Sequence, residues 1–304
     1  MSKRLLIFLL CLGCWVTLAA QQPDITVEVE RVNLLITVVD KNGRFVTGLP
    51  RDRFEVREDG KRQTITNFAN PTDLPLRIGL LIDTSASIRT QLEFEKEAAT
   101  RFFYSVIQPQ DLALLVEFDR GVSLLRDFTN RPSDLAAALR GLKAGGGTAI
   151  LDAIHNVARE KMTEGTTRRV IILVSDGLDR NSHKSHKDVL ALAQSLGVTI
   201  YAIGTNRFGA DQRKEGEKLM RRLCRKTGGR SFFPYSEGTL EQAFELINQE
   251  LRSQYILAYS PTNRTRDGSF RKIRVKLRKS GGLTLRYRDG YYAPPAREGS
   301  KTGL

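Results

Sequence analysis

Two carboxylates and three hydroxyls occupy places in this sequence where they can do the chemistry of a hard metal ion. The segment Asp83-Thr84-Ser85-Ala86-Ser87 follows an apolar run, 77–82, that reads as a strand. Its spacing sets one carboxylate and two hydroxyls on a single tight loop. Ser175-Asp176-Gly177 follows a second apolar run, 170–174, and Gly145-Gly146-Gly147-Thr148 precedes a helical pattern. In an open α/β sheet, groups beyond the carboxyl ends of the strands share one edge. Asp83, Ser85, Ser87, Thr148 and Asp176 are therefore expected to converge. Such oxygen donors suit Mg²⁺, which takes octahedral oxygen coordination and keeps waters, with Mn²⁺ or Ca²⁺ as alternatives. Hydroxyls are neutral, and two carboxylates only balance the ion. If one carboxylate acts through water, the ion stays electrophilic toward a carboxylate of another molecule. Each residue also has a plainer reading: Asp83, Ser85, Ser87 or Thr148 as helix caps, and Asp176-Gly177 as a turn. Asp152 and Asp179 lie nearby and are assigned to a helix terminus and a loop, not to the metal.

Other chemistries find less support. His183-Lys184-Ser185-His186 spaces two histidines as a zinc site would, but its setting is a polar, basic loop. No Gly-x-Ser-x-Gly elbow is present, and Gly145 to Thr148 lacks the lysine of a phosphate-binding loop. No general base follows the aspartate motif in obvious reach, so the expectation is a binding protein and not an enzyme. A metal-dependent hydrolase is the less favoured alternative.

The elements that must hold these groups fall into three zones of the 304-residue chain. In residues 24–70, Ile25, Val27 and Val29 alternate with polar neighbours, a period of two. A second strand-like run, 34–39, ends at Asp40-Lys41-Asn42-Gly43, a hairpin signal. Phe54 and Val56 begin a third, and Asp59-Gly60 turns the chain into a fourth around 64–68; the zone reads as a small antiparallel sheet. Residues 74–252 alternate strands with helices. The strands are 77–82, 112–118, 122–128, 170–174, 198–203 and 231–233; the helices are 92–106, 132–142, 149–163, 187–196, 215–227 and 239–251. Continuous apolar strands such as 170–174 indicate parallel strands covered on both faces, and the short link 119–121 makes 122–128 an antiparallel edge. The expected fold is a doubly wound α/β domain with a mainly parallel sheet. Residues 254–295 return to strands, at 255–259, 270–277 and 283–288. Neither flank can stand alone, so the two are expected to pair into one small antiparallel β-domain into which the α/β domain is inserted. Two separate small sheets flanking it are the alternative. Residues 296–304 read as a disordered tail.

Residues 1–20, with Lys3 and Arg4 ahead of an apolar stretch and Ala19-Ala20 behind it, read as a secretory signal. The expected location is secreted, periplasmic or in the cell envelope. Loss of that segment takes Cys11 and Cys14, leaving Cys224 as a small buried residue. Thirteen basic residues against three acidic give residues 252–304 a charge of +10, out of +14 for the chain. Within it Lys272, Arg274, Lys276 and Arg278 alternate with apolar residues, and Arg286 and Arg288 do so beyond the turn at 280–282. If these two strands pair, six cations form one ladder, which serves either as a solvated face or as an attachment to an anionic envelope surface. Nucleic acid is not the expected partner.

The set Asp83, Ser85, Ser87, Thr148 and Asp176 resembles the metal-ion-dependent adhesion site of von Willebrand factor type A (VWA) domains. The flanks, through Val56-Arg57-Glu58-Asp59-Gly60 and Asp289-Gly290-Tyr291-Tyr292-Ala293-Pro294, are similar to bacterial secreted proteins described as VWFA-related. The resemblance implies that Ser85, Ser87 and Thr148 bind the metal by hydroxyl, while Asp83 and Asp176 act directly or through water. It further implies an adhesion-type module that grips an Asp or Glu carboxylate of a protein partner through bound Mg²⁺. In such domains a shift of the last helix accompanies rearrangement at the metal site. Here the helix 239–251 runs almost directly into the strand 255–259, so such a shift would pull on the flanking β-structure. A structural envelope component with a merely stabilising metal is the remaining alternative.

Overall fold

The computed structural model describes residues 31–69, 74–163, 168–205 and 210–296. The expected signal, the alternation at Ile25 to Val29 and the tail beyond residue 296 lie outside the described residues. In chain order, β1 (Val32–Val39), β2 (Phe54–Glu58), β3 (Lys61–Gln63) and β4 (Ile65–Ala69) come first. The α/β part follows as β5 (Leu76–Asp83), α1 (Leu92–Val106), β6 (Leu112–Phe118), β7 (Val122–Thr129), α2 (Pro132–Arg140), α3 (Ile150–Lys161), β8 (Arg168–Ser175), α4 (His186–Leu196), β9 (Val198–Gly204), α5 (Ala210–Thr227), β10 (Ser231–Phe232) and α6 (Glu237–Ser253). The chain ends with β11 (Tyr255–Tyr259), β12 (Phe270–Leu277), β13 (Thr284–Arg286) and β14 (Gly290–Tyr292).

The central sheet has the order β10-β9-β8-β5-β6-β7. Its pairs are parallel except β6 with β7, the antiparallel edge. Both faces are covered, which is why β8 and β9 are apolar almost throughout. On β5, Leu76, Ile78, Leu80 and Ile82 enter one core with α1, α2 and α6. Leu81 enters the other, with α3, α4 and α5. Each such fully buried side chain contributes about 1.5–3 kcal/mol. Cys224 sits in the second core, where burial pushes its thiol far up from the usual range.

The flanking strands interleave. One four-stranded sheet has the order β13-β1-β11-β4 and the other β14-β12-β2-β3, so each contains strands from both sides of the α/β part. They close on one core of Leu34, Ile36, Val56, Tyr255, Leu257 and Ile273, among others. Two sequence expectations are corrected by this topology. The strands of residues 24–70 do not form a sheet of their own: β2 pairs with β3, while β1 and β4 lie on either side of β11. Nor does β12 pair with the strand after its turn. Its edges are taken by β2 and β14, and left-handed Lys279, Gly281 and Gly282 carry the chain across to the opposite sheet, where β13 pairs with β1.

Candidate metal centre

The chain order of the central sheet reverses at β5, which has β6 on one side and β8 on the other. Ligand crevices in open α/β sheets form at such reversals. Asp83 ends β5 and Asp176 directly follows β8, so the two carboxylates flank this crevice on neighbouring strands. Ser87 Oγ donates to Asp176 Oδ2 at 2.8 Å, and Ser85 Oγ lies 2.9 Å from Ser87 Oγ. Asp83 Oδ1 accepts from Ser85 N at 2.8 Å and Oδ2 from Ser175 Oγ at 2.6 Å. Asp83, Ser85, Thr148 and Asp176 are all buried.

Thr148 arrives on a separate loop stitched to the first. Gly145 N donates to Thr84 O at 2.7 Å, and Ala86 N donates to Gly146 O at 3.4 Å. The glycines permit this closeness. Gly146 has φ +83°, and a Cβ there would stand 2.2 Å from Asp119 Oδ2. Asn181 finishes the loop by accepting from Thr148 N at 3.0 Å.

The capping readings of the hydroxyls do not hold. The first residue of the short 3-10 turn after Ser85, and α1 after Gln91, have no side-chain cap. The N-cap of α3 is Ala149, and its first turn is served instead by Asp179, whose Oδ2 accepts from Leu151 N at 3.1 Å. Asp152 accepts from the backbone N–H groups of His183 and Lys184. Asp152 and Asp179 thus serve loop and helix terminus. His183 is 92% exposed and leans on Asp152 at 3.0 Å. Among the described residues, no group of three or more His, Cys, Asp or Glu could hold a metal ion. The cluster at β5 and β8 has a different make-up, because hydroxyls supply most of its donors.

Its electrostatics fit a cation. Burial pushes the Asp83 carboxyl up to about 6, only partly offset by its hydrogen bonds from Ser175 and Ser85, and Asp176 raises it further. Among the described residues no Lys or Arg pairs with Asp83. One further acid escaped the sequence reading. Glu95, in the first turn of α1, is 1% exposed, and neither carboxyl oxygen has a hydrogen-bond partner. Burial pushes it up to about 8; the nearby Thr205 hydroxyl, although outside hydrogen-bond geometry, offsets this in part, and the charges of Asp83 and Asp176 add to it. The signal for it was present: Leu92, Glu95, Ala98, Ala99 and Phe102 share the helix face that is buried.

The basic residues are distributed otherwise than the ladder expected of them. Lys272, Arg274, Lys276 and Arg278 are exposed on β12. Arg286 and Arg288 belong to the other side of the crossover and do not join them. Arg286 pairs with buried Glu250 at 2.6 Å, and Arg288 donates to the backbone carbonyls of Gln194 and Asn33.

Comparison with known proteins agrees with this geometry. Residues 78–178 match the family model for the von Willebrand factor type A domain, a span that includes Asp83, Ser85, Ser87, Thr148 and Asp176. A von Willebrand factor type A protein from Catenulispora acidiphila superposes at TM-score 0.52 and 14% identity, over 90% of this chain and 76% of that one. Proximal thread matrix protein 1 from the mussel byssus does so at TM-score 0.52 and 19% identity, over 64% of this chain and 51% of that one. BatB from Bacteroides thetaiotaomicron aligns over 59% of this chain and 100% of its own, with TM-score 0.47 and 18% identity. At these identities the likeness to the first two is one of fold. A search of curated proteins found no match. The α/β part of this chain, with its reversal at β5 and its Asp-x-Ser-x-Ser loop, has the fold of von Willebrand factor type A domains and carries the match to that family.

Proposed function

We propose that the protein is a metal-dependent binding module, in which Asp83, Ser85, Ser87, Thr148 and Asp176 hold one Mg²⁺ and a protein partner presents an Asp or Glu carboxylate to it. When bound, the ion supplies a hard, electrophilic position that a carboxylate oxygen can occupy. The chain's own residues do the rest. Ser85, Ser87 and Thr148 offer neutral oxygens, which leave the charge of the ion largely unspent. Asp83 is held by Ser175 and by the Ser85 N–H, and Asp176 is held by the Leu178 N–H at 2.9 Å, so both carboxylates are oriented in advance. The observation that carries this reading is the continuous contact from Ser85 through Ser87 to Asp176, made by hydroxyls that cap no helix. Glu95 does not favour a hydrolase, because at 1% exposure it lies out of a substrate's reach.

The reading also covers location. Among the described residues no helix is long and apolar enough to cross a membrane, and residues 1–20 supply the argument for export. Calorimetric titration of Mg²⁺ into the wild type and Asp83→Ala tests the centre. Binding by the wild type and its loss in the variant, with the fold retained in EDTA, is the expected result. No heat of binding by the wild type would remove the basis of the proposal.

A further inference from the structure

A cleft of about 810 Å³ opens where the α/β part meets the flanking strands. One wall is the end of α5 and the turn after it, with Arg221, Arg225 and Arg230. The other is β12 and β13, with Lys272, Arg274 and Arg286, over a floor that includes Ile273, Leu285 and Tyr287. These segments are remote in sequence, and their meeting is fixed by contact. Gly228, at φ +88°, ends α5 so close to the chain that an added Cβ would stand 2.7 Å from Arg288 N. Lys226 of α5 pairs with Asp289.

Part of this charge has a structural use. Arg286 neutralises Glu250, Arg221 lies 3.1 Å from Glu217, and Arg225 and Lys226 complement the carbonyl end of α5. A surplus remains. Arg225, Arg230, Lys272 and Arg274 make no ion pair with any described residue, and Arg225, Lys272 and Arg274 are exposed. Burial pushes the Arg230 guanidinium down from its usual range, and the charge of Arg286 adds to this against the opposing pull of Glu250. The acids within reach, Asp289 on the cleft wall and buried Glu250, are already engaged by Lys226 and Arg286, so the cations in excess of them call for an anionic ligand.

We infer that this cleft binds an acidic polysaccharide, a chain of sugar units carrying sulfate, phosphate or carboxylate groups. Four unpaired cations on two walls exceed what a single small anion neutralises, so the ligand carries several charges along its length. The partly apolar floor suits the C–H faces of sugar rings. A lipid bilayer is flat and does not enter a cleft. Single-stranded nucleic acid needs several open aromatic faces to stack on; Phe233 and Phe232 are covered by Arg221 at 4.3 Å and Arg230 at 4.6 Å, which leaves the cleft one half-buried ring, Tyr287, whose hydroxyl is tied to the Val275 backbone.

The test uses the full chain with dextran sulfate as probe and unsulfated dextran, single-stranded DNA and anionic phospholipid vesicles as comparators. Dextran sulfate should bind, less tightly as salt rises from ~0.05 to ~0.5 M, and equally well in EDTA and in Asp83→Ala, which separates this cleft from the metal centre. The double variant Arg225→Glu/Arg274→Glu should lose at least tenfold in affinity. Lys272→Glu, a second and milder exposed change, should lose severalfold. Arg62→Glu/Lys276→Glu reverses the same amount of charge at exposed positions outside the cleft, and should change affinity less than twofold. Equal loss in that control would overturn the site in favour of general charge. So would tighter binding of DNA or vesicles with the same dependence on Arg225 and Arg274, or no binding of dextran sulfate at all.

Discussion

Glu95 poses the sharpest question at the scale of single residues, because a carboxyl with no hydrogen bond is costly to bury. Its raised pKa, about 8 against an ordinary 4.5, makes it protonated in the folded metal-free protein near neutrality. Between those two values the unfolded chain has released this proton and the folded chain has not, so rising pH favours unfolding. In chelator, the wild type should therefore lose stability as pH rises from about 4.5 to about 8, by on the order of a few kcal/mol. Glu95→Gln should lose less, and should melt higher than the wild type near pH 8. Parallel melting profiles would show that Glu95 ionises freely in the fold. Gly146 and Gly145 make a second comparison. Gly146→Ala forces a side chain into the left-handed region and against Asp119, and should cost about 1–2 kcal/mol. It should also weaken Mg²⁺ binding, since this loop delivers Thr148. A Cβ at Gly145 meets nothing within 4 Å, so Gly145→Ala should be close to neutral in denaturant titration. The convergence of Asp83, Ser85, Ser87 and Asp176 was legible because strand ends impose it. Glu95 was not read because a lone Glu among charged neighbours resembles the solvated side of a helix until its spacing from Leu92 and Ala99 is weighed.

The critical element is α6. A single residue, Gln254, separates it from β11, and its end is bound into both parts of the molecule. Thr37 Oγ1 on β1 donates to Glu250 Oε1 at 2.9 Å, and Arg286 on β13 donates to Glu250 Oε2 at 2.6 Å. Arg168, at the start of β8, donates to Leu251 O and to Gln254 Oε1, both at 2.6 Å. Glu250 is fully buried, so removing it leaves Arg286 without its carboxylate. Glu250→Ala should cost about 3–5 kcal/mol, as broken buried pairs do, measurable as a lowered urea midpoint. The same joint gives α6 no slack. If the metal centre responds to a shift of α6, a disulfide set between α1 and α6, at positions with Cα atoms about 6 Å apart, should change Mg²⁺ affinity between its oxidised and reduced forms. Identical affinities would refute the coupling. Element types and limits were largely readable: α1, β6, β11 and β12 match their expected spans because apolar periodicity sets where a helix or strand can begin and end. Partner choice among the short flanking strands was not, because period-two patterns mark a face and not a neighbour. The crossing between β12 and β13 depends on left-handed Lys279, Gly281 and Gly282, and a Ser-Gly-Gly turn fits a hairpin equally well.

At the scale of the whole molecule, interleaving makes each flank a structural debt of the other. In the sheet β13-β1-β11-β4, β11 from the second flank lies between two strands of the first, and β1 is the bridge to β13. Without residues 1–69, β11 would have both edges open and β12 would keep only its short pairing with β14. Tyr255, Leu257 and Tyr259, each fully buried, and Ile273 and Val275 would then face water. Five such side chains, at about 1.5–3 kcal/mol each, approach the entire stability of an ordinary domain, and an open apolar edge recruits other chains. The chain 70–304 should therefore elute as aggregates in size-exclusion chromatography. The chain 74–253 presents neither exposed strand set. It retains both cores of the α/β part, though Glu250 loses Thr37 and Arg286, and should remain a monomer with a lowered melting temperature. A monomeric 70–304 with the melting temperature of the full chain would mean that the α/β part alone sets stability, and that the flanking sheets merely rest on it.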